Sequence, residues 1–275
     1  MRVQVVENQD IAFAEQETCL VVPVFEKAFP FMSDALSSED ELALQALADK
    51  EVFRGKAQEC FLLARVSGPY RNVLLLGLGK PEKFSSETLR RAGGTAAELL
   101  QKHRVSHVYF DVSHHGDLPV ASFLEGIVLG QYDFKVYMKE DSECPAPVKV
   151  QDLTVIAGED LNHESLQQQC QLAVLICLST NGARHLANTA PNEMTPGALA
   201  AFAEGICAQS QCECIILDEL QMASLGMNAL LGVSRGSAQP PKLIVLRHQY
   251  RDGAKTLAIV GKGVTFDTGG ISIQP

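Results

Sequence analysis

The residues best suited to chemistry stand in the segment 260–275, where four glycines flank one lysine, Lys262, and one aspartate, Asp267. Glycine lets the backbone approach a bound group closely and adopt conformations that other residues avoid. The carboxylate of Asp267 is a hard oxygen donor of the kind that divalent cations prefer. An uncharged lysine amine can also donate a lone pair to a metal ion. Lys262 and Asp267 are therefore candidate ligands of a divalent cation.

The composition of this segment also has a simpler structural explanation. A tight turn would place Lys262 on the surface and use Asp267 as a cap, and the residue types alone favour this explanation. A phosphate-binding loop is disfavoured further, because the spacing Gly-x-x-x-x-Gly-Lys-Ser/Thr is absent.

Other residues that could bind a metal have no further potential ligands at suitable spacing in the sequence. The eight cysteines are scattered, and in a reducing compartment we expect free, buried thiols. Cys212 and Cys214 would share one face of a strand, but no second Cys/His pair of zinc-like spacing lies nearby. His114 and His115 follow a strand and are predicted to lie in a solvated turn.

Charge and hydropathy restrict the class of protein. The formal charge is −10 and the pI about 5.2. Such an acidic protein repels phosphate backbones, which argues against a broad nucleic-acid-binding surface but is compatible with a local basic patch. The first ten residues lack the apolar core of a signal peptide. The longest apolar runs, such as 172–178, are too short to span a bilayer. We therefore predict a cytoplasmic protein without a membrane partner.

Strand-like and helix-like runs alternate along the chain, which predicts the α/β class with a parallel sheet. The run at 73–79 is apolar on both faces and predicts a central strand. The predicted strands are 19–25, 61–66, 73–79, 107–112, 134–138, 149–157, 214–217, 242–246 and 256–260. The predicted helices are 39–49, 86–103, 120–130, 163–187 and 196–209.

A charged, proline-containing stretch at 139–147 marks a predicted domain boundary. We expect an N-terminal domain at 1–150, a linker helix within 151–190, and an incomplete second domain at 191–275. A domain beginning near residue 160 would hold only three evident strands, which is few for a complete doubly wound sheet. We therefore expect the chain to be truncated within that second domain.

Several segments carry a family resemblance. The run GKGVTFDTGGISI at 261–273 resembles the signature of the leucyl (cytosol) aminopeptidases. The segments 188–196 and 225–237 are similar to further landmarks of that family, in the same order. Gly77–Gly79 with Lys80, and 125–134, match weaker N-terminal landmarks. The resemblance thus covers nearly the whole chain, and the run at 261–273 is its most specific part.

The resemblance implies a macro-like N-terminal α/β domain followed by the beginning of an α/β aminopeptidase catalytic domain. Family members bind two divalent cations, usually zinc, manganese or magnesium, and release N-terminal amino acids from peptides with a free N-terminus. The resemblance assigns Lys262 as a ligand of one ion and Asp267 as a carboxylate shared by both. It also implies a homo-hexamer.

The chain departs from the family pattern in ways that bear on activity. The family's catalytic lysine falls at position 274, where this chain has Gln274. The later acidic ligands and an arginine-containing segment are absent from the 275 residues. Since two ligands cannot hold two ions, each of which needs about four to six, we expect an inactive fragment that does not bind the cations stably alone.

Two alternatives stay open. The chain could be a non-catalytic assembly or regulatory protein that keeps the N-terminal domain. The macro-like domain could instead bind a ligand of the ADP-ribose type, although residues 1–150 show no convincing glycine-rich phosphate loop.

Overall fold

The fold is known from a computed structural model, and contacts divide the chain into two compact units, Met1–Ala183 and Arg184–Pro275. The predicted mixed α/β class is confirmed. The structure describes residues 1–7, 18–27, 33, 36–65, 70–116, 118–138, 147–210, 212–248, 251 and 253–265. Within these ranges, no helix combines the length and the apolar character that a membrane crossing requires.

Among its described residues, the first unit contains six strands, three α-helices and a short 3₁₀ helix (Pro81–Lys83), followed by a long helix, α4, whose last residues belong to the second unit. The strands are β1 (Arg2–Glu7), β2 (Thr18–Phe25), β3 (Cys60–Ala64), β4 (Asn72–Gly79), β5 (His107–Asp111) and β6 (Asp152–Ala157). The helices are α1 (Ser38–Asp49), α2 (Ser86–Lys102), α3 (Val120–Gly130) and α4 (His163–Asn188).

The six strands form one sheet in the order β1-β6-β5-β2-β4-β3. All neighbouring pairs are parallel except β3 and β4. Every residue of β4 is buried and its side chains enter the cores on both faces, which confirms the predicted double covering. The strand lies inside the sheet, between β2 and the edge strand β3, and not at its centre. Helices α2, α3 and α4 contribute to the core on one face, and α1 contributes to the core on the other.

The domain limits predicted at residues 150 and 190 stay a prediction. The strand β6 lies between β1 and β5, so the sheet of the first unit includes residues beyond 150. The contacts place the division between the two units after Ala183. The boundary stretch at 139–147 lies outside the described residues, apart from its last residue.

The edge of the sheet at β1 is closed by one side chain of α4. The amide of Gln167 accepts a hydrogen bond from the backbone N–H of Val5 at 2.8 Å, and it donates one to the carbonyl of Val3 at 2.9 Å. The side chain thus mimics a neighbouring strand at two backbone groups. Unprotected edges favour pairing with other chains, so Gln167 protects β1 against association.

Gln167→Ala should lower the free energy of unfolding by about 1–2 kcal/mol, because two partly buried hydrogen bonds are lost. It should also increase concentration-dependent association through β1. Urea denaturation and sedimentation velocity measure these two effects. The matched control is Gln168→Ala, whose side chain lies on the same helix and makes neither of these bonds. Equal behaviour of the two variants would contradict the edge-protecting role.

The described part of the second unit contains three helices and a two-stranded sheet. They are α5 (Pro196–Ala208), β7 (Glu213–Leu217), α6 (Glu219–Ser224), α7 (Asn228–Ser234) and β8 (Leu243–Arg247). Strands β7 and β8 are antiparallel, so the parallel arrangement expected here is wrong for this pair. Alternation along the sequence does not fix strand direction, which depends on the path of the connecting chain.

Two predicted strands are absent from the structure. Residues 134–135 have no regular structure and 136–138 form a turn and a bend. The rings of Phe134 and Tyr137 meet edge-on at 5.7 Å, whereas a strand would direct them to opposite faces. Residues 256–260 have no regular structure, and Leu257, Ile259 and Val260 are 84–94% exposed. A strand needs a hydrogen-bonded neighbour, and none of the described strands pairs with this segment.

Candidate functional site

The candidate ligand Lys262 lies in the second unit, on an exposed and irregular segment, 254–264. With its neighbours Gly261 and Gly263 it lines a pocket of about 720 Å³. Lys262 follows the run 256–260, which was predicted as a strand and has no regular structure. The other predicted site residues, Asp267 and Gln274, lie outside the described residues, so their positions stay predictions.

Three segments that are far apart in the sequence meet at this pocket. The first turn of α5 contributes Pro196 and Leu199, and α7 contributes Leu230 and Val233. The run 261–265 forms a further part of the wall. Pro196 belongs to the landmark segment 188–196, and Leu199 lies three residues after it. Leu230 and Val233 belong to the landmark segment 225–237, and the run 261–265 belongs to the segment 261–273. Their common order was visible in the sequence, but their convergence was not.

Local sequence signals position the first of these walls. Thr195 is the N-cap of α5, and its hydroxyl accepts a hydrogen bond from the backbone N–H of Ala198 at 3.2 Å. Pro196 occupies the first helical turn, where a missing N–H costs nothing. Between α6 and α7, Gly226 has a φ of +71°, a conformation that favours glycine.

The glycines beside Lys262 have little packing explanation within the described structure. A Cβ atom built on Gly261 would have no neighbour within 4 Å, and one on Gly263 would lie 3.7 Å from a methyl group of Leu199. Side chains would therefore fit at both positions in the protein alone. Close approach of a bound group to this backbone is consistent with that open space.

The charges around the pocket do not by themselves suit a cation. Two lysines, Lys242 and Lys262, line it, and none of its described lining residues is acidic. The hydroxyl of Ser234 donates to the carbonyl of Leu231 at 3.0 Å, and that of Ser237 accepts from the N–H of Gln239 at 3.0 Å. A divalent cation here needs carboxylate ligands, which makes Asp267 essential to the metal prediction.

The remaining candidate metal ligands do not form a site in the part of the chain that the structure describes. No group of three or more His, Cys, Asp or Glu residues there could hold a metal ion. His114 is exposed in the predicted turn. His115 is instead partly buried, with its ring 6.0 Å from that of Phe25, and burial lowers the pKa of its imidazole.

The glycine landmark in the first unit has a packing explanation. A Cβ on Gly77 would lie 2.0 Å from the carbonyl oxygen of Lys56, and Gly79 has a φ of +76°. Close backbone contact with the loop beside β4 therefore accounts for these glycines, without a phosphate ligand.

Comparisons with known proteins cover both units. A profile described as "Cytosol aminopeptidase family, N-terminal domain" matches residues 21–141, and one described as "Cytosol aminopeptidase family, catalytic domain" matches residues 181–275. A probable cytosol aminopeptidase of Geobacter sp. is 35% identical over 284 residues, covering 100% of this chain and 56% of the relative. Another, of Exiguobacterium sibiricum, is 38% identical over 231 residues, covering 82% of this chain and 46% of the relative. The chain thus spans about half the length of these curated relatives.

Solved structures share the fold. A tomato leucine aminopeptidase mutant superimposes with a TM-score of 0.77 at 24% identity, covering 97% of this chain and 55% of that chain. The bottromycin maturation enzyme BotP in complex with Mn gives a TM-score of 0.63 at 18% identity, covering 84% of this chain and 45% of that chain. At these sequence identities the structural similarity supports the fold of this chain and no functional assignment.

Proposed function

Because the chain belongs to the cytosol aminopeptidase family, we propose that it is the N-terminal part of a leucyl aminopeptidase. It supplies the macro-like N-terminal domain and the beginning of the catalytic domain. The activity to which it contributes is the metal-dependent release of N-terminal amino acids from peptides. The observation that carries this proposal is the convergence of three family landmark segments on the pocket beside Lys262.

Two residues are proposed as metal ligands. Lys262 would bind one ion through its uncharged amine, and Asp267 would bridge both ions through its carboxylate. Two such ions, when bound, activate a water molecule and polarise the scissile carbonyl of the peptide. Manganese and zinc are the metals proposed, and manganese is the metal found in the BotP complex.

The described residues alone do not fit a centre of two ions. Lys262 provides one nitrogen donor, and the described lining of its pocket provides no carboxylate. Each ion needs about four to six ligands. We therefore assign to this chain two ligands of the centre and derive no catalytic step from them. Gln274 can donate a hydrogen bond, but it lacks the charge with which a lysine stabilises a developing oxyanion.

The purified 275-residue chain should show no chelator-sensitive hydrolysis of leucine p-nitroanilide in the presence of Mn²⁺ or Zn²⁺. The reason is the small number of metal ligands that it supplies. Release of nitroaniline measures the reaction, and the full-length relative from Geobacter sp. is the positive control. Robust turnover that a chelator abolishes would refute the proposed inactivity of this chain.

The role of Lys262 can be tested after joining the chain to the second half of the Geobacter relative. With Gln274→Lys also introduced, we expect chelator-sensitive turnover. Lys262→Ala should then reduce the rate at least about 100-fold, the scale of losing one critical group at an active site. Lys242→Ala is the matched control, since it lines the same pocket. Equal losses in the two variants would contradict the assignment of Lys262.

A second candidate function is non-catalytic assembly, and the residue that favours it is Gln274 in place of the family's lysine. In this case the chain would associate with itself, or with intact subunits, as a homo-oligomer of up to six copies. Light scattering of the purified chain measures its oligomeric state. We also propose a cytoplasmic location, as the name of the relatives indicates.

A further inference from the structure

The strand β3 forms an outer edge of the sheet in the first unit. It pairs with β4 on one side, and none of the described strands lies on its other side. The opposite edge of the sheet, at β1, is closed by the side chain of Gln167. The two edges therefore differ, since the edge at β1 is protected against pairing with another strand and the edge at β3 is open.

The hydrogen bonds to β4 show which backbone groups of β3 lie on the open side. In an antiparallel pair, the N–H and C=O groups of one residue point to the same neighbour, and successive residues alternate. The N–H of Arg65 donates to the carbonyl of Arg71 at 2.9 Å, which fixes the alternation. Phe61 and Leu63 therefore bond to β4. We call the outward N–H and C=O groups the open edge, and they belong to Cys60, Leu62 and Ala64.

The open edge has no hydrogen-bond partner among the residues that the structure describes. The strand also lacks the features that usually protect an edge, which are charged side chains, proline and bulges. Its five residues, CFLLA, include no charge, no proline and no glycine. The first four are half-buried, and they pack at the margins of the cores on both faces of the sheet. An unprotected apolar edge of this kind favours pairing with another strand.

We propose that the open edge of β3 pairs with the same edge of a second copy of this chain, antiparallel and about a two-fold axis at Leu62. In this register Leu62 lies opposite Leu62 of the second copy, and Cys60 lies opposite Ala64 of the second copy. All outward N–H and C=O groups of both copies are then satisfied, in about six hydrogen bonds. The two sheets become one continuous sheet, whether or not the chain contributes to catalysis.

The apolar side chains of β3 suit this self-pairing. On one face of the joined sheet, Phe61 lies opposite Leu63 of the second copy. On the other face, the two Leu62 side chains meet. Pairs of apolar side chains directly opposite each other stabilise antiparallel strands. The contact is isologous, because both copies use the same surface, and it therefore closes with two copies and needs no other partner.

The charges that flank β3 are also compatible with this register. Glu59 lies opposite Arg65 of the second copy, so that the two ends of the paired strands bring unlike charges together. Both side chains already have partners in their own chain. Arg65 pairs with Asp40, and the carboxylate of Glu59 accepts hydrogen bonds from two backbone N–H groups of the preceding loop. The flanks therefore add no repulsion of like charges, which would oppose the pairing.

A proline on the open side tests the pairing and leaves the bonds to β4 in place. Leu62→Pro removes an N–H that points outward, and an edge strand tolerates proline at such a position. Sedimentation velocity of the unaltered 275-residue chain at increasing concentration should show dimers. Leu62→Pro should raise the dissociation constant at least about tenfold, because both hydrogen bonds of the central pair are lost. Leu62→Val keeps the N–H, and it is the matched control that should still form dimers.

Two outcomes of this experiment would overturn the proposal. An unaltered chain that is still monomeric at about 100 µM would leave the edge to an extended segment of another protein. A dimer that Leu62→Pro leaves unchanged would show that association uses a different surface. Circular dichroism shows whether Leu62→Pro is folded, and an unfolded variant leaves the decision to the following cross-link.

A cross-link tests the register without the proline variant. Ala64→Cys places a thiol opposite Cys60 of the second copy, and oxidation with copper–phenanthroline should then give a covalent dimer. Trypsin should release the peptide 57–65 linked to a second copy of itself. Within one copy the two thiols are about 13 Å apart along the strand, which is too far for an internal disulfide.

The matched control for the cross-link is Ala57→Cys. This alanine is exposed and belongs to the same tryptic peptide, but it lies outside β3. Its thiol is not opposite Cys60 of the second copy, so the yield of linked peptide should be at least about tenfold lower than with Ala64→Cys. Equal yields from the two variants, or no linked peptide from Ala64→Cys, would refute the pairing of β3 with itself.

Discussion

Gly126→Ala should lower the free energy of unfolding of the first unit by about 3 kcal/mol, the upper end of the usual cost of overpacking. Gly126 lies where α3 crosses α2. A Cβ atom at this position would lie 2.1 Å from the carbonyl oxygen of Arg90 and 2.8 Å from the backbone nitrogen of Gly94. Backbone atoms of a helix cannot step aside as a flexible side chain can. The two helices would have to separate, which would loosen the core around Phe123.

The control for this variant lies on the opposite helix. A Cβ atom on Gly94 would meet only the carbonyl oxygen of Gly126, at an ordinary distance of 3.9 Å. Alanine is favoured over glycine in a helix by about 0.8–1 kcal/mol, so Gly94→Ala should be neutral or stabilising. Urea denaturation followed by circular dichroism compares both variants with the unaltered chain. If Gly126→Ala proved as mild as Gly94→Ala, the close approach of α2 and α3 would be wrong.

The elements of the first unit were predictable where their signals are local. Helix α3 was predicted at its observed limits, because an apolar run of that length leaves few alternatives. Helix α2 was found through its capping serine, and the hydroxyl of Ser85 accepts from the N–H of Thr88. The glycine contact between these helices could not be predicted, because it depends on which glycine of α3 lies opposite which turn of α2.

The candidate site was predictable as a motif but not as an arrangement. The types and spacing of Lys262 and Asp267 indicated metal chemistry, and the resemblance named their roles. The run 256–260 before Lys262 was predicted incorrectly as a strand, because an apolar run becomes a strand only if another strand pairs with it. The walls supplied by Leu199 and Val233 come from helices far along the chain. Sequence spacing does not reveal such contacts.

The same limit applies to the cysteines of the second unit. The alternation of Cys212 and Cys214 predicted a shared side of a strand, and the structure places Cys214 in β7 with Cys212 directly before it. What the sequence could not supply was the packing of α5, whose last turn holds Cys207, against β7. The interpretation as scattered, buried thiols holds for Cys19 and Cys170. Burial raises the pKa of the Cys170 thiol to about 11, which makes it unreactive near neutral pH.

Asp40→Ala should destabilise the first unit by about 3–5 kcal/mol, the usual cost of leaving one member of a buried ion pair without its partner. The carboxylate of Asp40 lies 2.7 Å from the guanidinium of Arg65, and both side chains are only 8% exposed. Asp40 also accepts a hydrogen bond at 3.0 Å from the backbone N–H of Ser37, the N-cap of α1. Another nitrogen of the guanidinium, Nη1, is buried and has no hydrogen-bond partner among the residues that the structure describes. Arg65 would therefore keep a buried charge with still fewer partners.

Two further variants separate the ion pair from the helix cap. Asp49→Ala removes an exposed acid at the other end of α1 and should change stability by less than about 0.5 kcal/mol. The double variant Asp40→Ala/Arg65→Met removes both charges and should regain most of the loss, except about 1 kcal/mol for the cap. A double variant as unstable as Asp40→Ala alone would show that the cap, and not the buried charge, dominates. The Asp40–Arg65 pair would then contribute little to holding α1 against the sheet, because each charge would be stabilised by groups other than its partner.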